Sequence, residues 1–451
     1  MASSPGPADP AAPASDIPVY RVDLAEPPKQ RYARIARDFA ERIRKLSPLF
    51  DEVVESLFDR KLATIVKFTS RFALRRVFDR EQTKEIKSIA RIARIRTHHA
   101  IALNVFLDLM LGCTSGAALV RSRSTDQTGW AAVAAEDRLV HFRTLEWGMD
   151  ILRDLLVVIE FVDTRRADPQ KVVATSVTYA GFVGTLTGVR AGLSLSLNFR
   201  PHCDCKASSL LKHQLMVVLG FRESIPSVLR RILLDSDSGS SGSTGRKAPS
   251  SSEADQFEDD ETAREPLSVK ERAEQLVSVL SSPCYLTLCD GNQVAIIQKD
   301  LFDGKIKTSD EFMIQCNHDV DHEKCCSRPA VRKEADPAQA KVLGDEVWLE
   351  ESEERQQALL DKWIKHARAT TSDAAARWRA RQNGICVNGL VPLVPETDKL
   401  RGVSEAQLRD WVAASPTTNE ATHFSCLMDP RTGKVTWLER GPTPTESEPD
   451  V

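Results

Sequence analysis

Cys113, in the run Gly112-Cys113-Thr114-Ser115, is the first side chain that could act as a nucleophile among small neighbours. A thiolate attacks carbonyl carbon readily, whereas a thiol packed in apolar surroundings is inert. A small residue before a cysteine is common, so taken alone these four residues read as a buried, unreactive thiol. Two further groups, His202-Cys203-x-Cys205 and His318-x-x-x-His322-x-x-Cys325-Cys326, offer seven metal-ligand side chains. Neither has the CxxC or HExxH spacing that marks a zinc site, so free or loop thiols come first, disulfides second and a metal last. No metal and no cofactor are expected. Cys284 and Cys289 sit in an apolar, strand-like run and read as core. His141 and His423 read as packed residues rather than proton carriers.

Six segments change the weight on Cys113, because they follow one another in a recognisable order. They are IPVYRVDLAEPPKQRY (17–32), EIKSIARIARIRTHHAIALNVFLDLMLGCTSG (85–116), HFRTLEWG (141–148), TYAGFVGTLTGVRAGLSLSLNFR (178–200), SSPCYLTLCDGNQVAIIQKD (281–300) and IQCNHD (314–319). Together they resemble the acid ceramidase and N-acylethanolamine-hydrolysing acid amidase family, the 178–200 segment being the longest and most specific match. The resemblance runs through about 17–330, with a weaker echo in the final hairpin.

What the resemblance implies is an N-terminal-nucleophile hydrolase that cuts itself between Gly112 and Cys113 and then cleaves the amide of an N-acyl lipid, ceramide first. An N-acylethanolamine amidase, or a non-catalytic lipid-binding or scaffold relative, is the alternative. The freed α-amine, with a usual pKa of about 7.7–8.0, lies close enough to a thiol at about 8.5 to take its proton. By resemblance, Arg143 favours the thiolate. Glu146 holds the α-amine, standing where the family usually has Asp. Asn317 donates to the oxyanion, with the backbone N–H of Phe199 as second donor and Asn198 in support. Arg328 matches a second arginine of the family, at a spacing from Asn317 that differs from the usual one. Extra residues around RSRSTDQTGW (121–130) lengthen the first hairpin.

These side chains need elements to hold them. Ile35, Phe39, Ile43 and Leu46 fall at helical spacing between Gln30 and Leu46, and further helix is expected over 50–68 and from Asp79 to about His99. From Gly112 onward the texture turns to strand: Leu193, Leu195 and Leu197 alternate with Ser194 and Ser196, the pattern of a half-buried strand. Val435–Leu438, entered through Asp429-Pro430-Arg431-Thr432-Gly433-Lys434, reads as the second arm of a hairpin, and 347–382 returns to helix. The class is α+β. The resemblance implies a four-layer αββα sandwich of mostly antiparallel sheets over 113–451, with a helical module over 17–112 and two self-cleavage fragments that stay associated. Residues 1–16 read as a disordered tail, and 235–266, acidic in its second half and nearly free of large apolar residues, as a disordered insertion.

A net charge of −3, from 61 basic and 64 acidic residues, gives no bulk reason to expect nucleic acid as a partner. Residues 71–96 carry nine Lys or Arg against three acids and read first as a solvated helical face, second as a contact with anionic lipid. The most apolar window, 100–120, contains Asn104 and Asp108, which a membrane span of about 20 residues would exclude. With neither a secretory signal nor a transit peptide visible, a cytoplasmic location is expected. If the amino terminus is incomplete, the family implies a lysosome-like one.

Overall fold

Side chains alternate across a strand, so each strand here has one face for a helix layer and one for another sheet. The structure is a computed structural model that describes residues 16–46, 73–106, 112–121, 137–147, 149–201, 205–235, 267–319, 345–370 and 402–443. Five strands form one sheet in the order β11-β2-β3-β12-β13: β2 (Gly112–Val120), β3 (Arg138–Glu146), β11 (Phe312–Gln315), β12 (Thr422–Asp429) and β13 (Lys434–Arg440). The other sheet is eight-stranded, ordered β1-β4-β5-β6-β7-β8-β9-β10. Its strands are β1 (Val19–Asp23), β4 (Leu156–Val162), β5 (Val172–Tyr179), β6 (Thr187–Arg190), β7 (Leu193–Phe199), β8 (Cys284–Cys289), β9 (Val294–Lys299) and β10 (Gly304–Ser309). Every described strand pair is antiparallel except β1 with β4, which is parallel.

Helices close both outer faces. In chain order they begin with α1 (Pro28–Arg31), α2 (Ala33–Asp38), α3 (Ala40–Lys45), α4 (Arg80–Ala93) and α5 (Thr97–Phe106). Next come α6 (Ala207–Val218), α7 (Ile225–Leu234), α8 (Val269–Ser278), α9 (Asp345–Thr370) and α10 (Glu405–Ala413). The helices α7 and α8 pack on the eight-stranded sheet, and α9 and α10 on the five-stranded one. On the latter side Leu359, Trp363, Ala367, Leu408 and Val412 bury against Val140, Phe142, Phe312 and Leu427. The four-layer αββα order expected above is the observed one.

Two features depart from expectation. Ser194 and Ser196 are buried rather than solvent-facing, because both bond to His141 of the opposite sheet. The strand β7 is covered on both faces: its leucines meet α7, and its serines meet β3. The amino-terminal module also does more than cover the sandwich with helix. It supplies β1, which extends the eight-stranded sheet beside β4. The expected helix over 50–68, residues 371–382, most of 1–16, the insertion 236–266 and the extended first hairpin 122–136 lie outside the described residues.

Close approach of β2 and β11 depends on Gly116. A Cβ there would stand 2.0 Å from the Met313 carbonyl oxygen, which no side chain could tolerate in place. The amino-terminal helices are tied to the sandwich by charge as well as apolar packing. Glu85 of α4 is fully buried and receives Arg230 of α7 through two hydrogen bonds, at 2.5 and 2.9 Å, and Arg31 at 3.1 Å. Removing one member of a buried ionic cluster leaves the others uncompensated, typically at about 3–5 kcal/mol. Glu85→Ala should therefore lower the urea midpoint by an amount equivalent to that range. A midpoint unchanged from the native chain would show that Arg230 finds another partner.

Candidate active site

Cys113 is the second residue of β2 and pairs with Leu145; Ser115 pairs with Arg143. Period-2 alternation puts Cys113, Ser115, His141 and Arg143 on the inner face of the five-stranded sheet, towards Ser194, Ser196 and Asn198 of β7. Arg143 Nη2 donates to Cys113 Sγ at 2.9 Å and to the Leu197 carbonyl at 2.7 Å, while Nη1 donates to Asn198 Oδ1. Asn198 is held in turn by Ser115 Oγ, at 3.0 Å, and by donation from its own Nδ2 to the Gln315 carbonyl at 2.9 Å. Cys113, Arg143 and Asn198 are all fully buried.

The backbone nitrogen of Cys113, the atom a cut after Gly112 would free, donates to Asn317 Oδ1 at 2.6 Å. The Asn317 Nδ2 donates to the Phe199 carbonyl at 2.8 Å. From behind, Ser352 of α9 accepts from the Asn317 backbone N–H at 2.9 Å and bonds His318 Nδ1 at 2.9 Å. Burial pushes the Cys113 thiol up to about 11; the Arg143 guanidinium pulls it down, Glu146 opposes that, and the Phe199 N–H assists Arg143. At neutral pH the sulfur is therefore a thiol in the uncut chain.

Glu146 lies three residues beyond Arg143 on the same strand, so alternation turns it to the opposite face. It meets Arg355 of α9 there, with Arg355 Nε 3.9 Å from Glu146 Oε2. Neither Glu146 oxygen has a hydrogen bond among the described residues, and Arg355 Nε and Nη2 have none either. Burial raises the Glu146 carboxyl above its usual range, against the pull of Arg355. In the uncut chain the Cys113 nitrogen bonds Asn317.

Of the residues singled out from sequence, the structure brings together Gly112, Cys113, Arg143, Glu146, Asn198, Phe199 and Asn317. Arg328 lies outside the described residues, as do His202, Cys203, His322, Cys325 and Cys326. Cys205 is disulfide-bonded, so its sulfur is not available as a metal ligand. Cys284 and Cys289 are buried and form no disulfide. His141, between Ser194 and Ser196, is kept neutral by burial, its pKa pushed down to about 3, with Arg143 pressing the same way. Arg355 and Ser352 were not found from sequence, although a signal exists. Both fall on the helical stripe that continues as Leu359, Trp363 and Ala367, and polar residues on a buried stripe need a reason to be there.

Residues 15–78 match the family described as the beta subunit of N-acylethanolamine-hydrolyzing acid amidase. Among curated proteins, the chain is 26% identical over 192 residues to the N-acylethanolamine-hydrolyzing acid amidase of Caenorhabditis elegans, covering 40% of this chain and 47% of that one. It is 27% identical over 197 residues to the acid ceramidase of Homo sapiens, covering 41% and 46%. The chain thus spans about half the length of the curated relatives it matches. A solved structure of a Caenorhabditis elegans N-acylethanolamine-hydrolyzing acid amidase ortholog aligns over 71% of this chain and 93% of its own, at 16% identity and a TM-score of 0.38. The chain is similar to the family that its motifs resemble.

Proposed function

We propose that this chain is an amide hydrolase that frees Cys113 by cutting itself after Gly112 and then cleaves N-acyl lipids, ceramide foremost, through that residue. One observation carries the reading: a fully buried guanidinium stands 2.9 Å from the Cys113 sulfur. Burying a guanidinium costs several kcal/mol, and a neutral thiol returns little of it; a thiolate returns far more. With a thiol, Arg143, Arg355 and Glu146 leave one net positive charge around the sulfur. With a thiolate the cluster is neutral.

In self-cleavage the sulfur attacks the Gly112 carbonyl carbon. The carbon–nitrogen bond breaks as the Cys113 nitrogen takes a proton, and water hydrolyses the resulting thioester to a Gly112 carboxylate. The new α-amine then accepts the thiol proton. The thiolate attacks the lipid amide, the amine product leaves with a proton, and water releases the fatty acid from its thioester. In this reading the Asn317 side-chain amide and the Phe199 N–H are the two donors to the developing oxyanion. Glu146, which pairs with Gly112 in the strand register, holds the ammonium that forms, and the site then carries one net positive charge.

A lipid-cleaving enzyme must reach a bilayer, and two exposed surfaces support that. One is the basic face of α4, with Arg80, Lys84, Lys87 and Arg91 all exposed. The other is apolar: Leu211 and Leu215 of α6 with Phe221 and Phe78, more than half exposed apiece, beside Arg76, whose guanidinium lies 5.2 Å from the Phe221 ring centre. No described helix is long and apolar enough to cross a membrane.

The test is to incubate the purified chain with detergent micelles containing either ceramide or an N-acylethanolamine, then sequence the fragments formed. The expected outcome is a fragment beginning at Cys113 together with fatty acid release, faster from ceramide. Faster release from the ethanolamide would move the substrate assignment. A chain that stays whole and inert would overturn the reading.

A further inference from the structure

The two proposed oxyanion donors come from different sheets. Phe199 ends β7 in the eight-stranded sheet, and Asn317 follows β11 in the five-stranded one, 118 residues away. Their separation, on which stabilisation of an oxyanion depends to a fraction of an ångström, therefore varies with the relation of the two sheets at this end of the sandwich. A brace crosses the gap at this point. Arg200, the next residue after Phe199, donates from Nε to Asp319 Oδ1 and from Nη2 to Asp319 Oδ2, both at 2.8 Å. Asp319 lies two residues beyond Asn317.

The brace is itself anchored. Arg200 Nη1 reaches the Lys299 carbonyl at 3.1 Å and Asp300 Oδ1 at 2.9 Å, at the end of β9. Tyr285 of β8 donates its hydroxyl to Asp319 Oδ1 at 2.5 Å, and its ring centre lies 5.8 Å from the Arg200 guanidinium carbon. The Arg200 side chain is 1% exposed, so its charge is paid for almost wholly by partners. Buried ion pairs add little net stability compared with apolar packing, whereas a two-pronged Arg–carboxylate contact fixes distance and angle together.

We propose that Arg200 and Asp319 are positioning residues that set the spacing between the Phe199 N–H and the Asn317 side chain. This rests on the hydrolase reading of the site. The guanidinium fork is the working part, and lysine cannot reproduce its two parallel hydrogen bonds. Arg200→Lys and Asp319→Asn should therefore damage the transition state more than substrate binding.

The experiment uses the full chain with ceramide in detergent micelles. Cleaved molecules are counted by condensation of the amino-terminal cysteine with a cyanobenzothiazole, so that misfolded or uncut protein is excluded. Expected is a fall in kcat per titrated Cys113 of about tenfold to a hundredfold, as displacement of catalytic groups by an ångström produces, with KM unchanged. Full kcat per titrated site, or a rise in KM alone, would show the brace to be merely structural and overturn the proposal while the hydrolase reading stands. Native protein that yields no titratable Cys113, or titrates and turns nothing over, would instead overturn the hydrolase reading, and the brace proposal with it.

Discussion

Cys113→Ala protein is expected to remain one polypeptide and to lose hydrolysis by a factor on the order of 10⁶, the scale of deleting a hydrolase nucleophile. Both losses follow from one atom. In the proposed mechanism the sulfur attacks the Gly112 carbonyl and later the lipid. The hydroxyls that follow it on β2, Thr114 Oγ1 and Ser115 Oγ, are engaged with Cys316 and with Asn198 and Thr287. The fold should survive the change. Arg143 keeps the Leu197 carbonyl and Asn198 as partners, and only a sulfur-sized space opens. Mass spectrometry of the purified variant reads the result. Cutting after Gly112 in the alanine protein would mean that another protease does it.

Asn317→Ala should reduce turnover by about 10²–10³, the usual cost of removing one oxyanion donor. The side chain carries two duties, since its Oδ1 accepts from the Cys113 nitrogen at 2.6 Å and its Nδ2 lies on the Phe199 carbonyl. Self-cleavage should slow as well, because the scissile nitrogen loses its acceptor. KM should hold, as a lipid is gripped mainly by its chains. Asn317→Asp keeps the acceptor and removes the donor. It should retain self-cleavage better than alanine while turning over lipid no faster. Equal kcat in the native and alanine proteins, per titrated Cys113, would remove Asn317 from the chemistry.

The site was legible where its parts lie on strands. Arg143, Asn198 and Phe199 were picked out by the family resemblance, and the structure puts Arg143 and Asn198 on strands whose inner faces meet at Cys113. Alternation misled. The Leu–Ser pattern of 193–197 reads as one wet face, because sequence does not reveal that a second sheet bearing His141 lies across from the serines. Arg355 and Ser352 escaped because a helix far along the chain approaches from outside the sheet. Helical spacing shows which residues share its stripe, not which sheet end the stripe covers. Glu146 illustrates both limits. The resemblance gave it the α-amine as partner, and only the placement of α9 shows Arg355 beside it.

The strand β1 covers an edge of the eight-stranded sheet. It is the outermost strand of the eight-stranded sheet and hydrogen-bonds along β4 from Val19–Val158 to Asp23–Val162. A protein made without the amino-terminal piece would leave β4, Leu-Val-Val-Ile-Glu-Phe-Val, as a bare edge with one charge in seven residues. Such an edge is a template for pairing with other chains, and its composition is that of an aggregating segment. The amino-terminal segment thus shields an adhesive margin of the sandwich by pairing β1 along β4.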